Sequence, residues 1–314
     1  MIKHSVPRQG RQLQQEDIFV LSDDKVQDLA TNGFVSLDSI TTNEEVSEIR
    51  SILTSLMERR AGEKEGALFD TSSSVSSKDA QRSIQMTNPS YFEPSLRKTT
   101  YVQRATRLAQ ELISPNAFLV GDFLLLKPAH VGTGTRWHQD EAYRDPNFVH
   151  NELSFWMPLQ DTDADAGCMV FIPGSHNLGV LEHQSPNLDV RTHALECSGE
   201  FNAEDSIACP LSAGGCTIHN SRIIHRTTDN RSGTNRYAYI LVFAAPQTPA
   251  EDVQSFPWLE KRRTVDGETR KRWLLHGGLL VLLMRKLRRG DFWNLTAARD
   301  SVRRGLSNMR GHRD

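Results

Sequence analysis

The sequence has few of the features that mark secreted, disulfide-rich or membrane-spanning proteins. Its 314 residues include four cysteines, and no two of them form a CxxC pair. The N-terminal residues are polar and lack the apolar core of a signal peptide. The apolar run Trp273–Met284 has twelve residues, whereas a membrane-spanning helix needs about 20. We therefore expect a cytoplasmic protein with reduced thiols and no transmembrane segment.

The sequence has the composition of a globular protein, and its charge is unevenly distributed along the chain. Hydrophobic residues make up 38% and charged residues 24%, and a chain of this length can bury the core of one large domain. Residues 1–260 carry 22 Lys and Arg against 34 Asp and Glu, whereas residues 261–314 carry 15 against 5. We predict one domain over residues 1–314, with a core at about 24–246 and a basic, helical extension at 247–314.

The N-terminal third shows helical periodicity that is interrupted by one long polar stretch. Thr41 and Thr42 each precede a glutamate by three residues, which is the capping-box signature of a helix start. The predicted elements are the helix Asp23–Ala30, the strand Phe34–Leu37, a helix ending near Arg60, and the helix Ser95–Ile113. Residues 61–94 contain few apolar side chains, and we predict a loop that could close as a lid. Three of its residues would then line a substrate pocket: Gln85, Met86 and Asn88.

Residues 117–246 alternate short apolar runs with turns, which is the pattern of an all-β region. Such a series favours a barrel or sandwich, and a closed barrel leaves no exposed sheet edge. We predict a mainly β fold with the N-terminal helices packed against one sheet. The predicted strands are Ala117–Leu126, Trp137–Tyr143, Leu153–Leu159, Cys168–Ile172, Cys216–His219, Arg222–Thr227 and Tyr237–Ala244.

The run Trp137–Asp140 contains a candidate metal site. His138 and Asp140 are two residues apart, so on an extended strand their side chains point to the same face. Two imidazoles and one carboxylate can form a facial iron(II) site, and His225 is the candidate for the second imidazole. Taken alone, the first two residues fit an ordinary polar strand better. His219 is more simply a core or turn histidine than a ligand.

Arg236 opens the last apolar strand, eleven residues after His225. An arginine at the head of a buried strand can hold the carboxylate of a cosubstrate with two hydrogen bonds. Arg226 neighbours His225 and should point to the opposite strand face. Arg231 lies in the intervening turn and could reach into the site, but we prefer Arg236 over both. Lys127 precedes a proline, and we interpret it as a surface lysine.

These residues occur in an order that resembles the phytanoyl-CoA dioxygenase family. The resemblance covers about residues 24–246 and implies an iron(II)- and 2-oxoglutarate-dependent oxygenase with a double-stranded β-helix core, also called a jelly-roll or cupin-like core. It implies Fe(II), 2-oxoglutarate and O2, with ascorbate as a supporting reductant. The matching pieces are Lys127-Pro128, Trp137-His138-Gln139-Asp140, Gly167-Cys168-Met169, Pro173-Gly174-Ser175-His176, His225, Asn230-Arg231-Ser232 and Arg236.

The roles known in that family carry over only to matching positions. His138, Asp140 and His225 resemble the iron ligands. Arg236 resembles the residue that clamps the C5 carboxylate of 2-oxoglutarate. The resemblance implies three more cosubstrate-binding positions: Thr227, Trp156 and Phe123. Related halogenases carry Ala or Gly in place of the carboxylate, so Asp140 favours hydroxylation.

The resemblance implies hydroxylation of an unactivated C–H bond in a small-molecule, lipid-like or CoA-linked substrate, with release of succinate and carbon dioxide. Desaturation, epimerisation or cyclisation in secondary metabolism is an alternative, because substrate placement decides the outcome. A zinc hydrolase could use the same three ligands, but it would have no use for Arg236. A non-catalytic jelly-roll binding protein is a third alternative, and an intact ligand set fits it poorly.

The basic C-terminal extension has two interpretations. The simpler one is a helix packed on the barrel, whose basic end suits the negative end of the helix dipole. Alternatively, the extension could lie on an acidic membrane surface or dock an acidic carrier protein. The acidic body and the lack of a recognisable motif argue against a nucleic-acid partner.

Overall fold

The computed structural model describes residues 19–74 and 83–282, which form antiparallel sheets flanked by helices. The strands are β1 (Phe34–Leu37), β2 (Leu68–Asp70), β3 (Ile84–Thr87), β4 (Phe118–Lys127), β5 (Phe148–Val149), β6 (Glu152–Pro158), β7 (Met169–Phe171), β8 (His183–Gln184), β9 (Glu196–Cys197), β10 (Ile207–Cys209), β11 (Cys216–Asn220), β12 (His225–Thr227), β13 (Arg236–Ala244) and β14 (Thr248–Pro249). The helices are α1 (Asp23–Asn32), α2 (Asn43–Glu58), α3 (Pro89–Phe92), α4 (Thr100–Leu112), α5 (Pro257–Lys261) and α6 (Val265–Trp273).

Two sheets pack face to face and form the predicted jelly roll. The larger sheet has the order β1-β11-β6-β13-β4-β3-β2, and the smaller one has the order β10-β7-β12. Side chains from both sheets share one buried cluster, in which Trp156 and Ala238 of the large sheet meet Met169 and Phe171 of the small one. The predicted fold class is therefore confirmed.

The strands at the centre of the large sheet are buried on both faces because helices cover one face and the small sheet covers the other. On β6, Phe155 and Met157 pack in the main core with the helices, whereas Ser154 and Trp156 face the space between the sheets. β13 alternates in the same way. This period of two places a row of side chains over the interior of the jelly roll.

One carboxylate holds the starts of the two long helices together. Thr42 caps α2, because its hydroxyl oxygen accepts a hydrogen bond from the Glu45 N–H at 3.3 Å. The Glu45 carboxylate accepts a hydrogen bond from the Thr41 hydroxyl. It also accepts from the N–H groups of Thr100 and Tyr101, at 2.6 and 3.0 Å, at the start of α4. The two helices thereby cover the large sheet in a fixed relation to each other.

The prediction of a continuous loop over residues 61–94 was wrong. β2 and β3 extend the large sheet beyond β4, and Ile84 to Thr87 pair with Leu126 to Phe123. These strands are short, and polar side chains on β3 face the cavity, so the apolar periodicity of a strand is weak here. Residues 75–82, which include part of the serine-rich stretch, lie outside the described residues, and the lid remains a prediction.

The described part of the C-terminal extension contains the short strand β14 followed by the helices α5 and α6. Trp258 and Phe256 pack against Ala142 and Leu195, beside the candidate site. No helix in the described parts of the chain has the length and hydrophobicity needed to cross a membrane. The basic run at residues 285–289 lies outside the described residues, and the single domain over residues 1–314 remains a prediction.

Candidate active site

Three side chains form a metal-ligand cluster in the interior of the jelly roll. His138 Nε2 and His225 Nε2 each lie 3.8 Å from Asp140 Oδ1, and one donor atom from each residue lies within 4.8 Å of the others. Within the described residues this is the cluster of three His, Cys, Asp or Glu side chains that could hold an ion. The structure thus brings together the three residues proposed from the sequence, with the donor set of a facial iron(II) site.

The backbone around the first two ligands differs from the predicted strand over Trp137–Tyr143. His138 forms one isolated antiparallel bridge with His225, through two N–H···O bonds of 3.0 Å. The chain then turns into a 3-10 helix at Asp140–Tyr143. The turn forms because the Glu141 N–H donates to the Ser221 carbonyl instead of continuing the ladder. The prediction of a strand was therefore wrong beyond Gln139, although the two ligands still converge.

Hydrogen bonds orient both imidazoles for metal binding. The Nδ1 of His138 lies 2.8 Å from the Arg136 carbonyl oxygen, and the Nδ1 of His225 lies 3.0 Å from the Ile223 carbonyl oxygen. A carbonyl can only accept, so each Nδ1 carries the proton and each Nε2 keeps a free lone pair. These lone pairs are the ones that lie near Asp140.

The protonation states also suit metal ligation. Burial and the neighbouring His225 lower the pKa of His138 to about 4, and burial lowers the pKa of His225 to about 4. Burial opposes ionisation of Asp140, but the contact with His219 and the nearby imidazoles of His225 and His138 hold its pKa well below the usual range. At neutral pH the site therefore presents two neutral imidazoles and one carboxylate.

A second ring of contacts positions the ligands. The Ser154 hydroxyl donates to Asp140 Oδ2 at 2.8 Å, and His219 Nε2 lies 3.7 Å from the same oxygen. Gln139 is fully buried and donates through its amide to the carbonyls of Gly179 and Arg222. Gln139 thus supports the site from the side that faces away from the ligand cluster, as its position between His138 and Asp140 predicts.

Two cations are buried side by side at the inner end of the site. Arg236 and Lys127 are paired residues on β13 and β4, and they are 1% and 0% exposed. Lys127 Nζ donates to Thr227 Oγ1 at 2.5 Å and to the Thr228 carbonyl at 2.6 Å. The interpretation of Lys127 as a surface lysine was therefore wrong, because it shares the inward face of β4 with Phe123 and Leu125.

Neither cation forms an ion pair with a carboxylate among the described residues, although Asp229 acts on Lys127 over a longer distance. None of the three guanidinium nitrogens of Arg236 has a hydrogen-bond partner, and its Cζ lies 5.5 Å from the Trp156 ring. Burial lowers the pKa of Arg236 to about 9, and burial together with Arg236 holds the pKa of Lys127 well below its usual range. Buried charge without compensation costs several kcal/mol. An anionic ligand that accepts hydrogen bonds here would relieve that cost, and a carboxylate is such a ligand.

A cavity of about 360 Å³ opens from the metal-ligand cluster. All three ligands line it, and so do the three other positions predicted for the cosubstrate: Phe123, Trp156 and Thr227. Arg236 does not line the cavity itself but lies behind Trp156. Of the three predicted loop residues Gln85, Met86 and Asn88, the cavity is lined by Gln85, whereas Met86 is buried in the main core.

The two competing arginines lie elsewhere. Arg226 stacks on the outer side of β12, with its Cζ 4.9 Å from the Trp137 ring. The Arg231 side chain is 74% exposed and pairs with Asp229 at 3.6 Å. Both border a second cleft, on the other side of Thr227. Neither points at the metal-ligand cluster, which leaves Arg236 and Lys127 as the buried cations near it.

Sequence reasoning missed several residues of the site. Lys127 follows Phe123 and Leu125 at a spacing of two, and this periodicity could have placed it on the cavity face. His219 was assigned to the core, but its ring lies 4.8 Å from that of His225. No local sequence motif marks Ser154, Tyr143 or Arg262, and these side chains reach the cavity only through the packing of the fold.

Known proteins resemble this chain in sequence. A family model described as phytanoyl-CoA dioxygenase (PhyH) matches residues 29–238. A curated relative from Danio rerio, phytanoyl-CoA dioxygenase domain-containing protein 1, is 22% identical over 151 residues. The match covers 47% of this chain and 52% of the relative, so the chain spans about half the length of the curated relatives it matches.

Solved structures share the fold. EvdO2 from Micromonospora carbonacea var. aurantiaca, crystallised with 2-oxoglutarate, aligns with a TM-score of 0.67 and 24% identity over 77% of this chain and 98% of EvdO2. SnoK, a non-haem, α-ketoglutarate-dependent carbocyclase from nogalamycin biosynthesis, aligns with a TM-score of 0.58 and 21% identity. The SnoK alignment covers 74% of this chain and 88% of SnoK.

Proposed function

The chain belongs to the phytanoyl-CoA dioxygenase family, and from that premise we propose that it is an iron(II)- and 2-oxoglutarate-dependent dioxygenase. We propose further that it hydroxylates an unactivated C–H bond of a small-molecule, lipid-like or CoA-linked substrate and releases succinate and carbon dioxide. The observation that carries the proposal is the pairing of the His138, Asp140 and His225 cluster with two buried cations, Lys127 and Arg236, of which Arg236 has no hydrogen-bond partner among the described residues.

The donor set of the cluster fits iron(II). Two neutral imidazoles and one carboxylate occupy one face of the metal and leave the other positions for exogenous ligands. When bound, iron(II) and 2-oxoglutarate supply oxidation of a C–H bond by dioxygen, coupled to decarboxylation of the 2-oxo acid. His138, Asp140 and His225 would hold the metal, and Ser154 would keep the Asp140 carboxylate in its orientation through the 2.8 Å hydrogen bond.

The remaining residues bind the cosubstrate and shield the site. Arg236 and Lys127 would bind the distal carboxylate of 2-oxoglutarate, with the Thr227 hydroxyl as a further contact. Trp156 and Phe123 line the cavity and limit the access of water to the reacting groups. The presence of Asp140 favours oxygen transfer over halogenation, because the carboxylate fills the position that a halide would take.

Cyclisation or epimerisation by the same cofactors is the second candidate. The likeness to the carbocyclase SnoK favours it, and the position of the substrate carbon relative to the metal decides the outcome. A zinc hydrolase is a weaker candidate because it has no role for Lys127 and Arg236. A binding protein without catalysis has no role for the three ligands.

The test is iron-dependent formation of succinate from 2-oxoglutarate. We expect succinate with Fe(II), none with Zn(II), and an increase when small acids, lipids or CoA thioesters that act as substrate are added. Asp140→Ala should abolish turnover, whereas Asp205→Ala, an exposed acidic residue, should not change it. Turnover with zinc, or full turnover by the Asp140→Ala protein, would refute the proposal.

A further inference from the structure

Arg262 is a further cation of the cavity, separate from Lys127 and Arg236. It follows α5 in the C-terminal extension and lines the same cavity as His138 and Asp140. The extension is fixed there because the indole N–H of Trp258 donates to the Ala142 carbonyl at 2.9 Å. The N–H of Arg263 donates to the Val190 carbonyl at 2.9 Å. The C-terminal extension therefore forms part of the cavity wall.

The guanidinium of Arg262 has spare hydrogen-bonding capacity. One of its terminal nitrogens donates to the His193 carbonyl. Its Nε is buried and has no partner in the part of the chain that the structure describes. Asp266, which lies on the same segment, pairs with His193 at 3.1 Å and not with Arg262. By contrast, the neighbouring Arg263 is exposed and its guanidinium donates to two carbonyls of its own segment.

Tyr143 places this cation close to the metal ligands. The Cζ of Arg262 lies 5.1 Å from the centre of the Tyr143 ring, and the Tyr143 ring lies 6.3 Å from that of His138. The Tyr143 hydroxyl accepts a hydrogen bond from the Leu195 N–H at 2.7 Å, and a phenol can also donate its own proton to an acceptor in the cavity.

The other cations at this end of the cavity have carboxylates beside them. Arg144 donates to Glu152 at 2.8 Å. Arg136 is largely exposed and lies 3.9 Å from Glu196. Arg262 is thus the cation here that lacks an ion-pair partner among the described residues. The cavity is also lined by the apolar side chains Leu195, Ile240 and Val242.

We propose that the substrate to be oxidised carries an oxyanionic group, a carboxylate or a phosphate, which is bound by Arg262 and the Tyr143 hydroxyl. The apolar walls hold the body of the molecule, with the reacting carbon directed to the metal ligands. This inference rests on the proposed function and names the substrate class of that site. Arg262 is thereby a specificity-determining residue, separate from the pair that would bind 2-oxoglutarate.

The test measures binding of simple probes to the full chain loaded with Mn(II) and saturated with 2-oxoglutarate. The probes are 3-phenylpropionate, 2-phenylethylphosphonate and the neutral 3-phenylpropionamide. Mn(II) broadens the NMR signals of a probe that binds beside it, so the readout does not depend on turnover. We expect at least one acid to bind about tenfold more tightly than the amide, because one charge-assisted hydrogen bond is worth roughly that ratio. The two acids distinguish a carboxylate from a phosphate substrate.

Three variants assign the preference to Arg262. R262Q should bind acid and amide equally, R262K should keep part of the preference, and R263Q, the matched control, should keep all of it. Equal binding of acid and amide by the wild type, failure of both acids to bind, or full preference in R262Q would overturn the inference. If R262Q also loses 2-oxoglutarate binding, the acid preference of R262K relative to that of the wild type decides whether Arg262 sets the preference. Titration of 2-oxoglutarate without probes tests the proposed function separately.

Discussion

At the scale of single residues, the most informative pair is Lys127 and Arg236. Both are buried, they face each other across β4 and β13, and neither forms an ion pair within the described residues. Burying two cations side by side is unfavourable, and the lowered pKa values of both groups reflect this cost. We expect an anion bound between them to stabilise the pair, which would couple the stability of the protein to the proposed binding of 2-oxoglutarate.

We predict that Lys127→Met separates these two effects. Without 2-oxoglutarate, the free energy of unfolding should stay within about 1 kcal/mol of the wild-type value, because removing the buried charge offsets the loss of the hydrogen bonds to Thr227 and the Thr228 carbonyl. The stabilisation that 2-oxoglutarate adds to the metal-loaded protein should shrink. Thermal unfolding with and without 2-oxoglutarate measures both, and Lys98→Met, at an exposed lysine, is the control. A large loss of stability in the ligand-free variant would show that these hydrogen bonds outweigh the cost of burying the Lys127 charge.

The sequence allowed prediction of the ligands but not of their surroundings. His138, Asp140 and His225 could be found because their order and spacing resemble those of a known family. Lys127 was misassigned because its neighbours come from other strands, and a lysine before a proline looks like a surface residue. His219 is a buried histidine outside the ligand cluster, as expected, but its contact with Asp140 was not predicted. Cross-strand register produces both sets of contacts, and register cannot be read from a local pattern.

At the scale of elements, the 3-10 helix Asp140–Tyr143 connects the site to the C-terminal extension. It begins at a metal ligand and contains Ala142, whose carbonyl accepts the indole N–H of Trp258. Trp258 is buried and stacks on Phe256, with ring centres 4.8 Å apart. The extension therefore holds the turn that orients Asp140.

We predict that Trp258→Ala lowers the free energy of unfolding by about 3–5 kcal/mol, the usual cost of deleting a buried indole. The affinity for metal should fall as well, because the turn loses its support. Trp273→Ala, in the same extension but only partly buried, should cost much less and leave metal affinity unchanged. Denaturant unfolding and metal titration of both variants measure these effects. Equal losses in the two variants would contradict the predicted role of Trp258.

The long apolar strands were the most predictable elements. The predicted runs Ala117–Leu126, Leu153–Leu159 and Tyr237–Ala244 correspond to β4, β6 and β13, because burial on both faces leaves a continuous hydrophobic signal. β2 and β3 were missed because strands of three or four residues with polar inward side chains give no such signal. The strand over Trp137–Tyr143 was wrong because the tertiary contact of Glu141 with Ser221 ends it early.

At the scale of the whole molecule, buried histidines link folding to pH. Burial lowers the pKa values of His138, His183 and His225 to about 4, whereas an unfolded chain titrates near 6.5. The unfolded state therefore binds more protons between these values. The stabilisation is fully present above about pH 6.5 and is lost as the pH falls toward 4. His150, whose pKa is raised through Glu152 despite burial, contributes in the opposite direction.

We predict that the metal-free protein has a lower free energy of unfolding at pH 5 than at pH 7. His183→Gln should reduce the difference between these two free energies, because it removes one group that binds a proton in the unfolded state and that is not itself a metal ligand. Urea unfolding in the presence of a chelator measures the free energies at the two pH values. Equal stability at pH 5 and pH 7 would show that these imidazoles are not held neutral by the fold.

The central claim is that one site binds a metal through Asp140 and 2-oxoglutarate through the metal and Arg236. Anaerobic calorimetric titration of 2-oxoglutarate into the Fe(II)-loaded chain tests it most directly. We predict one binding equivalent for the wild type and no iron-dependent binding for Asp140→Ala. Arg236→Ala should bind at least about tenfold more weakly, from the loss of charge-assisted hydrogen bonds, and the exposed-site control Arg231→Ala should bind unchanged. Wild-type affinity in the Asp140→Ala or Arg236→Ala protein would contradict the account.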